Sequence, residues 1–116
     1  MGEQQTRIAV ARWDEIAWEP MRPGVDRKVF SGQGATLQLS RLRPGHAVRP
    51  HEHPYEQIVY IISGGAEFHV GDKVFLLTGG DCLAIPPNVQ HYAVVVGNHN
   101  VLNLDVFIPR RADIAG

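Results

Sequence analysis

Cysteine is almost absent from this chain of 116 residues, which contains only Cys82. A single cysteine excludes an internal disulfide, so the chain has no covalent crosslink of its own. Residues 81–85 read as a buried strand, and neither a histidine nor a cationic residue adjoins the thiol to lower its pKa. We therefore expect Cys82 to be a small buried hydrophobic residue and not a catalytic nucleophile.

An excess of either charge is also lacking, because 11 Lys and Arg balance 12 Asp and Glu, for a formal net charge of −1. This balance excludes the basic field that attracts nucleic acid or an anionic membrane surface. No apolar run approaches the length of a membrane span, and the first dozen residues lack the apolar centre of a secretory signal. The sequence predicts a cytoplasmic protein with no nucleic-acid or membrane partner.

Sustained helical periodicity is missing as well. The chain has 12 Gly and 8 Pro, and between them lie short runs with the composition of strands. The predicted strands are residues 26–30, 36–43, 57–62, 66–70, 74–77, 82–85, 91–96 and 101–108. Residues 13–18 read as a turn or a short arm. Eight short strands with regular turn signals predict an all-β sandwich or barrel, and this length supplies one core.

The chain does contain six histidines, and two of them, His51 and His53, are two residues apart. Residues two apart on a strand share a face, so both rings could bind one ion, with Gln57 on the same side. His91 could reach that ion only across a closed sheet. Three imidazoles and an amide oxygen suit a borderline divalent ion. Two alternatives remain open: a surface histidine pair without metal, or a register shift that replaces Gln57 by Glu56. The other three histidines fall in predicted turns or hairpin ends and are expected at the surface: His46, His69 and His99.

The last predicted strand, residues 101–108, carries different chemistry on its two faces. One face is aliphatic: Leu102, Leu104, Val106 and Ile108. The other carries Asn103, Asp105 and Phe107. If the aliphatic face packs between the sheets, Asp105 is exposed, as most aspartates are. If the other face is inside, Asp105 and Phe107 line the pocket, and the alternation by itself does not choose.

Two spaced patterns resemble the two motifs of the cupin superfamily. The first consists of Gly45, His51, His53, Gln57 and Gly64, separated by five, one, three and six residues. The second consists of Gly80, Pro86, Asn88 and His91, separated by five, one and two residues. This chain has Gln57 where glutamate is usual, Asn88 where glycine is usual, and Val95 in place of the usual last asparagine.

This resemblance implies the cupin jelly-roll barrel, a double-stranded β-helix, in a single cupin domain over residues 1–116. Its parts would be an N-terminal arm (1–24), the barrel (25–108) and a tail (109–116). It implies that His51, His53, Gln57 and His91 hold a divalent metal ion, which could be Zn, Ni, Fe, Mn or Cu. It also implies a homodimer in which residues 8–10 or 13–18 pair with the partner's sheet. The alternative is that the tryptophans of residues 13–18 cover the barrel's open end.

A narrower resemblance covers residues 51–58, 85–91 and 104–111, which are similar to the pectin-degradation cupins of the KdgF type. Those enzymes open the ring of unsaturated monouronates to linear keto-deoxyuronates. The resemblance implies that Asp105, Phe107 and Arg111 contribute to the reaction. Their chemistry suits it, because Asp105 could move a proton, Phe107 could pack against the sugar, and Arg111 could bind the carboxylate of a small anionic substrate, a sugar acid. Tyr55 departs from the family, which often has histidine there. Arg111 could instead belong to a solvated tail.

The neutral Gln57 cancels none of the metal's charge, so the predicted site stays near +2 and favours an anionic substrate. The leading hypothesis is therefore a metal-dependent isomerase of unsaturated uronates. Other cupins with three histidines and one glutamine resemble polyketide cyclases or dioxygenases, and a dioxygenase would consume oxygen. A non-catalytic sugar-binding cupin is the remaining alternative, and it would bind its ligand without turnover.

Overall fold

The computed structural model describes residues 8–114, which form nine β-strands and a short 3₁₀ helix at Trp13–Glu15. The strands are β1 (Glu19–Arg22), β2 (Val25–Ser31), β3 (Thr36–Leu42), β4 (Glu56–Ser63), β5 (Gly65–Val70), β6 (Lys73–Thr78), β7 (Cys82–Ile85), β8 (His91–Val95) and β9 (Val101–Ile108). All eight predicted strands are present, with ends that agree within one residue. None of the described residues belongs to a helix with the length and apolarity needed to cross a membrane.

The strands form two antiparallel sheets. The six-stranded sheet has the order β1-β2-β3-β9-β4-β7, and the three-stranded sheet has the order β6-β5-β8. The segment before β4 joins the start of β8 through an isolated bridge, in which the His51 N–H donates to the His91 carbonyl (3.1 Å) and the reverse bond is 2.9 Å. The all-β prediction is confirmed, and this bridge brings two predicted ligands together.

The hydrophobic core lies between the two sheets. Val59 and Ile61 on β4, Ile85 on β7 and Val101 on β9 are fully buried, and Phe68 on β5 packs with them from the other sheet. Their alternation along each strand directs these side chains inward because successive residues of a strand face opposite sides. The same alternation sets the direction of the pocket residues farther along β4 and β9.

Two predictions made from the sequence concern the N-terminal arm and the burial of Cys82. Strand β1 lies within residues 1–24, the predicted N-terminal arm, and pairs with β2; residues 1–7 and 115–116 of the predicted arm and tail lie outside the described residues. The prediction of a buried Cys82 was wrong, because its side chain is exposed. On β7 it pairs with Tyr60, which is also exposed, while the buried Ile85 faces the core.

The loop before β8 explains why asparagine can replace glycine in the second motif. Asn88 has φ of +63°, in the left-handed region where asparagine is tolerated better than most residues. Its N–H donates to the His53 carbonyl at 2.8 Å. This bond ties the loop to the segment that carries two of the predicted ligands.

Candidate metal centre

Three histidines from two separate parts of the chain meet at the barrel mouth. His51 and His53 precede β4, and His91 begins β8. One ring nitrogen of each lies within 4.8 Å of the others. The ring centroids are 4.4 Å apart for His51 and His91, 5.1 Å for His53 and His91, and 5.8 Å for His51 and His53. This spacing allows three nitrogens to face one point.

Backbone carbonyls fix the tautomer of all three rings. Each Nδ1 lies 2.8–3.1 Å from a carbonyl oxygen two residues away: Arg49 for His51, Tyr55 for His53 and Val89 for His91. Because a carbonyl oxygen only accepts, each Nδ1 must carry a proton. The lone pair then resides on Nε2, which is the arrangement that metal-binding histidines use.

The arrangement of Gln57 completes a donor set that fits a divalent ion. Its Oε1 lies 3.0 Å from His53 Nε2, and two such acceptors are compatible only with a cation or a proton between them. His91 Nε2 is buried and has no hydrogen-bond partner among the described residues. Gln57 is buried while Glu56 is exposed on the opposite face of β4, so Gln57 and not Glu56 faces the histidines.

Burial keeps two of these histidines neutral. It lowers the pKa of His91 to about 4, with neighbouring His51 and His53 contributing in the same direction and the bond to the Val89 carbonyl opposing. The pKa of His51 is also lowered, chiefly by burial. Neutral imidazole is the form that binds metal, so both rings can act as ligands near neutral pH.

Asp105 lies beside this cluster and is almost fully buried, at 5% exposure. Oδ1 accepts from Gln57 Nε2 (3.0 Å) and Asn103 Nδ2 (2.9 Å). Oδ2 accepts from Ser40 Oγ (3.0 Å) and Gln38 Nε2 (3.4 Å). Burial raises the pKa of Asp105 to about 6, and these four donors oppose the rise.

The polar face of β9 is therefore its inner face. Asn103, Asp105 and Phe107 are buried, while the aliphatic face is partly exposed, with Ile108 at 45%. The alternative with the aliphatic face between the sheets was wrong. Phe107 is 2% exposed and meets the His53 ring edge-on at a centroid distance of 5.5 Å.

Arg111 is held against the pocket wall. Its guanidinium lies 4.6 Å from the Phe107 ring centroid and 5.3 Å from that of Tyr55, a range in which cation–π attraction operates. Its backbone N–H donates to Thr36 Oγ1 at 3.0 Å, and its side chain pairs with Asp113 at 2.7 Å. This part of the tail packs on the barrel.

Further arginines line the same pocket, a cavity of about 300 Å³. They are Arg22, Arg27 and Arg49. Arg27 pairs with Glu19, but Arg22 and Arg49 have no carboxylate partner within residues 8–114. The Arg22 Nε–H donates to the Ala47 carbonyl at 2.9 Å, and its pKa is lowered by burial and by Arg49. The pocket therefore carries positive charge that an anionic ligand could neutralise.

Sequence reasoning missed two partners of Asp105. Gln38 and Ser40 are two residues apart on β3 and therefore share a face of the strand, which was the only available signal. The β3–β9 register sets Gln38 opposite Asp105.

The prediction of a surface His46 was wrong: it is buried, and its Nε2 accepts from the Val95 N–H at 3.3 Å. His69 is half-buried and His99 is exposed.

Comparison with known proteins agrees with this geometry. A family model described as "Cupin domain" matches residues 38–107. Protein SchB of Streptomyces halstedii is 34% identical in an alignment of 97 positions that covers 78% of this chain and 69% of SchB. Polyketide synthase CurC of Streptomyces cyaneus is 32% identical in an alignment of 84 positions that covers 66% of this chain and 54% of CurC.

Among solved structures, KdgF from Halomonas sp. superposes with a TM-score of 0.83 and 27% identity. The match covers 93% of this chain and 99% of that one. The predicted jelly-roll barrel is thereby confirmed. Because the family model covers more than half of the sequence, and because the structure places its motif residues in one pocket, this chain belongs to the cupin family.

Proposed function

We propose that this protein is a metal-dependent isomerase that opens the ring of 4,5-unsaturated monouronates to linear keto-deoxyuronates. The observation that carries the proposal is the burial of Asp105 in the same pocket as the three histidines. Similarity to KdgF along nearly the full length of both chains supports it.

The positive charge of the pocket suits the carboxylate of such a substrate. Arg22 and Arg49 lack carboxylate partners among the described residues, and Arg111 lies over Phe107 on the pocket wall. A guanidinium binds a carboxylate through paired, charge-assisted hydrogen bonds. We assign carboxylate binding to these arginines and packing against the sugar ring to Phe107, which also excludes water.

The reaction is a proton transfer without net gain or loss of atoms. A proton passes from the anomeric hydroxyl to the base, the bond between the anomeric carbon and the ring oxygen breaks, and an aldehyde and an enolate form. The base then returns the proton to the double-bond carbon that bears no oxygen, and the enolate becomes a ketone. Asp105 is the buried acidic residue beside the histidines, whereas Glu52 in the same pocket is exposed. A carboxyl with a pKa of about 6 can both accept and return a proton near neutral pH.

His51, His53, Gln57 and His91 would hold the metal, which when bound supplies Lewis-acid polarisation of a substrate oxygen. The donor set suits Zn, Ni, Fe, Mn or Cu, and metal availability commonly decides among them.

A turnover assay tests the proposal. Purified protein with a measured metal content is mixed with unsaturated monouronates freshly released by a pectate or alginate lyase. Loss of the ultraviolet absorbance of the double bond reports ring opening. We expect the protein to accelerate ring opening over the spontaneous rate, and we expect a chelator to abolish this acceleration. No acceleration by protein that contains stoichiometric metal would contradict the proposal.

Ring formation on a polyketide is the second candidate, favoured by the 32% identity to polyketide synthase CurC. A buried carboxyl beside a Lewis acid also suits such a reaction, which would leave the uronates unchanged. A dioxygenase would instead consume oxygen at an electrode, and a sugar-binding module would retain the uronate without converting it.

We also propose a homodimer that uses residues 8–10. Ile8 and Val10 are 88% and 73% exposed in the single chain, an arrangement that burial against a partner would favour. Light scattering after chromatography should give a molecular mass of two chains. In the double variant Ile8→Asp, Val10→Asp, the mass should fall to that of a single chain. An unchanged mass in that variant would contradict this interface. The cytoplasmic location stays a prediction.

A further inference from the structure

The carboxylate of Asp105 makes a contact that bears on metal binding itself. Its Oδ1 accepts a hydrogen bond from Gln57 Nε2 at 3.0 Å, and the other end of the same amide, Oε1, faces His53 Nε2. An amide has one donor end and one acceptor end. With its donor end bound to Asp105, Gln57 can present only its oxygen to the histidines.

Every partner of Asp105 among residues 8–114 is a donor. The Gln57 and Asn103 amides donate to Oδ1, and the Ser40 hydroxyl and the Gln38 amide donate to Oδ2. An acceptor-only site with four donors is the environment of an ionised carboxylate. Asp105 therefore places a negative charge in direct contact with Gln57, one member of a ligand set that is otherwise neutral.

We propose that Asp105 is a positioning residue for the metal site: it orients the Gln57 oxygen toward the ion and supplies the negative charge that a ligand glutamate would carry. The inference rests on the metal binding proposed above and adds to the catalytic role of Asp105. Residues 57 and 105 then act as a pair, in which an amide touches the ion and a carboxylate touches the amide.

The pair suggests why glutamine and not glutamate occupies position 57. A glutamate there would put two carboxylates in contact in place of a donor and an acceptor, which disfavours ionisation of one of them. If position 105 became asparagine at the same time, its amide could donate to the new glutamate. The charge would move from residue 105 to residue 57, while the number of charges and hydrogen bonds would be preserved.

The experiment measures Zn²⁺ affinity by competition with a chromophoric chelator in four proteins: wild type, Asp105→Asn, Gln57→Glu, and the double variant. We expect Asp105→Asn to weaken Zn²⁺ binding about 10- to 100-fold in the wild-type background, the size typical of lost partners of metal ligands. In the Gln57→Glu background the same change should leave affinity unchanged or increase it.

This dependence on the residue at position 57 separates positioning from a structural role, because a general loss of stability would weaken binding in both backgrounds. The Co²⁺ absorption spectrum adds a second measure: we expect Asp105→Ala to change it, since Gln57 loses its only described orienting bond. Equal effects of Asp105→Asn in the two backgrounds, or no effect in the wild type, would overturn the proposal.

Asp26 provides a matched control. It is also buried, at 8% exposure, but lies on the opposite face of the six-stranded sheet and pairs with Arg41 at 2.8 Å. Asp26→Asn removes one buried charge without touching a predicted ligand, so Zn²⁺ affinity should not change. A loss of affinity equal to that of Asp105→Asn would show that net charge alone is responsible and would contradict the positioning role.

The affinity measurements do not depend on the substrate. Failure of uronate turnover with normal Zn²⁺ coupling would reject the proposed function and leave this inference intact. The double variant links the two, because it should bind Zn²⁺ yet lack the carboxylate at position 105 that the proposed reaction needs. Uronate turnover by that variant would show that Asp105 positions Gln57 without moving the proton.

Discussion

The apolar core and the polar pocket of this barrel are built from the same strands and are buried to a similar degree, but they obey different rules. In the core, Val59 and Ile61 on β4 and Val101 on β9 are fully buried among other apolar side chains. In the pocket, Gln57 on β4 and Asp105 on β9 are 7% and 5% exposed. Core residues require only shape, whereas each pocket residue requires a partner.

Burial on these strands therefore has two separate purposes. Core side chains are interchangeable within limits of volume, since dispersion and hydrophobic burial are not directional. Pocket side chains depend on atoms placed to within a few tenths of an ångström, such as the Gln57–Asp105 contact of 3.0 Å. Substitutions in the core should therefore change stability, and substitutions in the pocket should change chemistry.

Loss of the Asp105 carboxyl should have the largest effect. At saturating metal, we expect Asp105→Asn to lower kcat for uronate ring opening by about 10²- to 10⁴-fold, the usual contribution of a positioned acid–base group. The melting temperature of the metal-free variant should not show a correspondingly large decrease. Steady-state kinetics and thermal unfolding of the same preparation would check both parts, and a kcat within twofold of wild type would remove Asp105 from the reaction.

Truncation of a core side chain should lower the stability of the protein and leave its metal site intact. Ile61→Ala removes a fully buried side chain and should lower the free energy of unfolding by about 2–5 kcal/mol. The metal content of the folded protein should stay unchanged. Its neighbour Ile62, which is 43% exposed, is the control, and Ile62→Ala should change stability by less than about 0.5 kcal/mol. Similar losses for both variants in urea unfolding would contradict the core assignment.

The buried carboxyl should also give the metal-free protein a distinctive pH dependence. Because the pKa of Asp105 is raised from 3.8 to about 6, the folded protein holds a proton between about pH 4 and pH 6 that the unfolded chain has already released. The stabilising contribution of the Asp105 carboxyl is therefore present below about pH 4 and is lost as the pH rises through 6. The loss amounts to about 3 kcal/mol at most.

Histidines act in the opposite direction, since the lowered pKa of His91 favours the folded state at higher pH. The difference between wild type and Asp105→Asn cancels their contribution. In the presence of a chelator, we expect the variant to gain stability relative to wild type between pH 4 and pH 7, measured by urea unfolding at each pH. A constant difference over that range would mean that Asp105 titrates normally.

The smallest expected effect concerns the pocket's unpaired charges. Arg49→Ala should raise the KM for uronate about tenfold, the value of one charge-assisted hydrogen bond, with little change in kcat. Arg43→Ala is the control, because Arg43 pairs with Asp26 on the other face of the sheet. If KM rises equally in both variants, the effect is one of net charge and not of a carboxylate site.

Much of the fold could be predicted because it rests on local patterns. Glycine and proline spacing located eight strands, and the two motifs indicated the barrel. The missed strand β1 has a proline and only four residues, Glu19–Arg22, and becomes a strand by pairing with β2. The error about His46 arose in the same way, since His46 is buried by contact with β8 and not by its own sequence neighbourhood.

Alternation along the chain shows that Asp105 and Phe107 share one face of the last strand, with aliphatic residues on its other face. It also shows that His51 and His53, separated by Glu52, share a face of the segment before β4. Which face of β9 is buried depends on how the strand packs in the fold, because a period of two defines two faces and does not choose between them. The tertiary structure also determines that Gln38 and Ser40 reach Asp105, since that contact depends on the register of strands separated by more than sixty residues. Alternation is a local property of the chain, but the partner of a buried polar group is set only when distant strands pair.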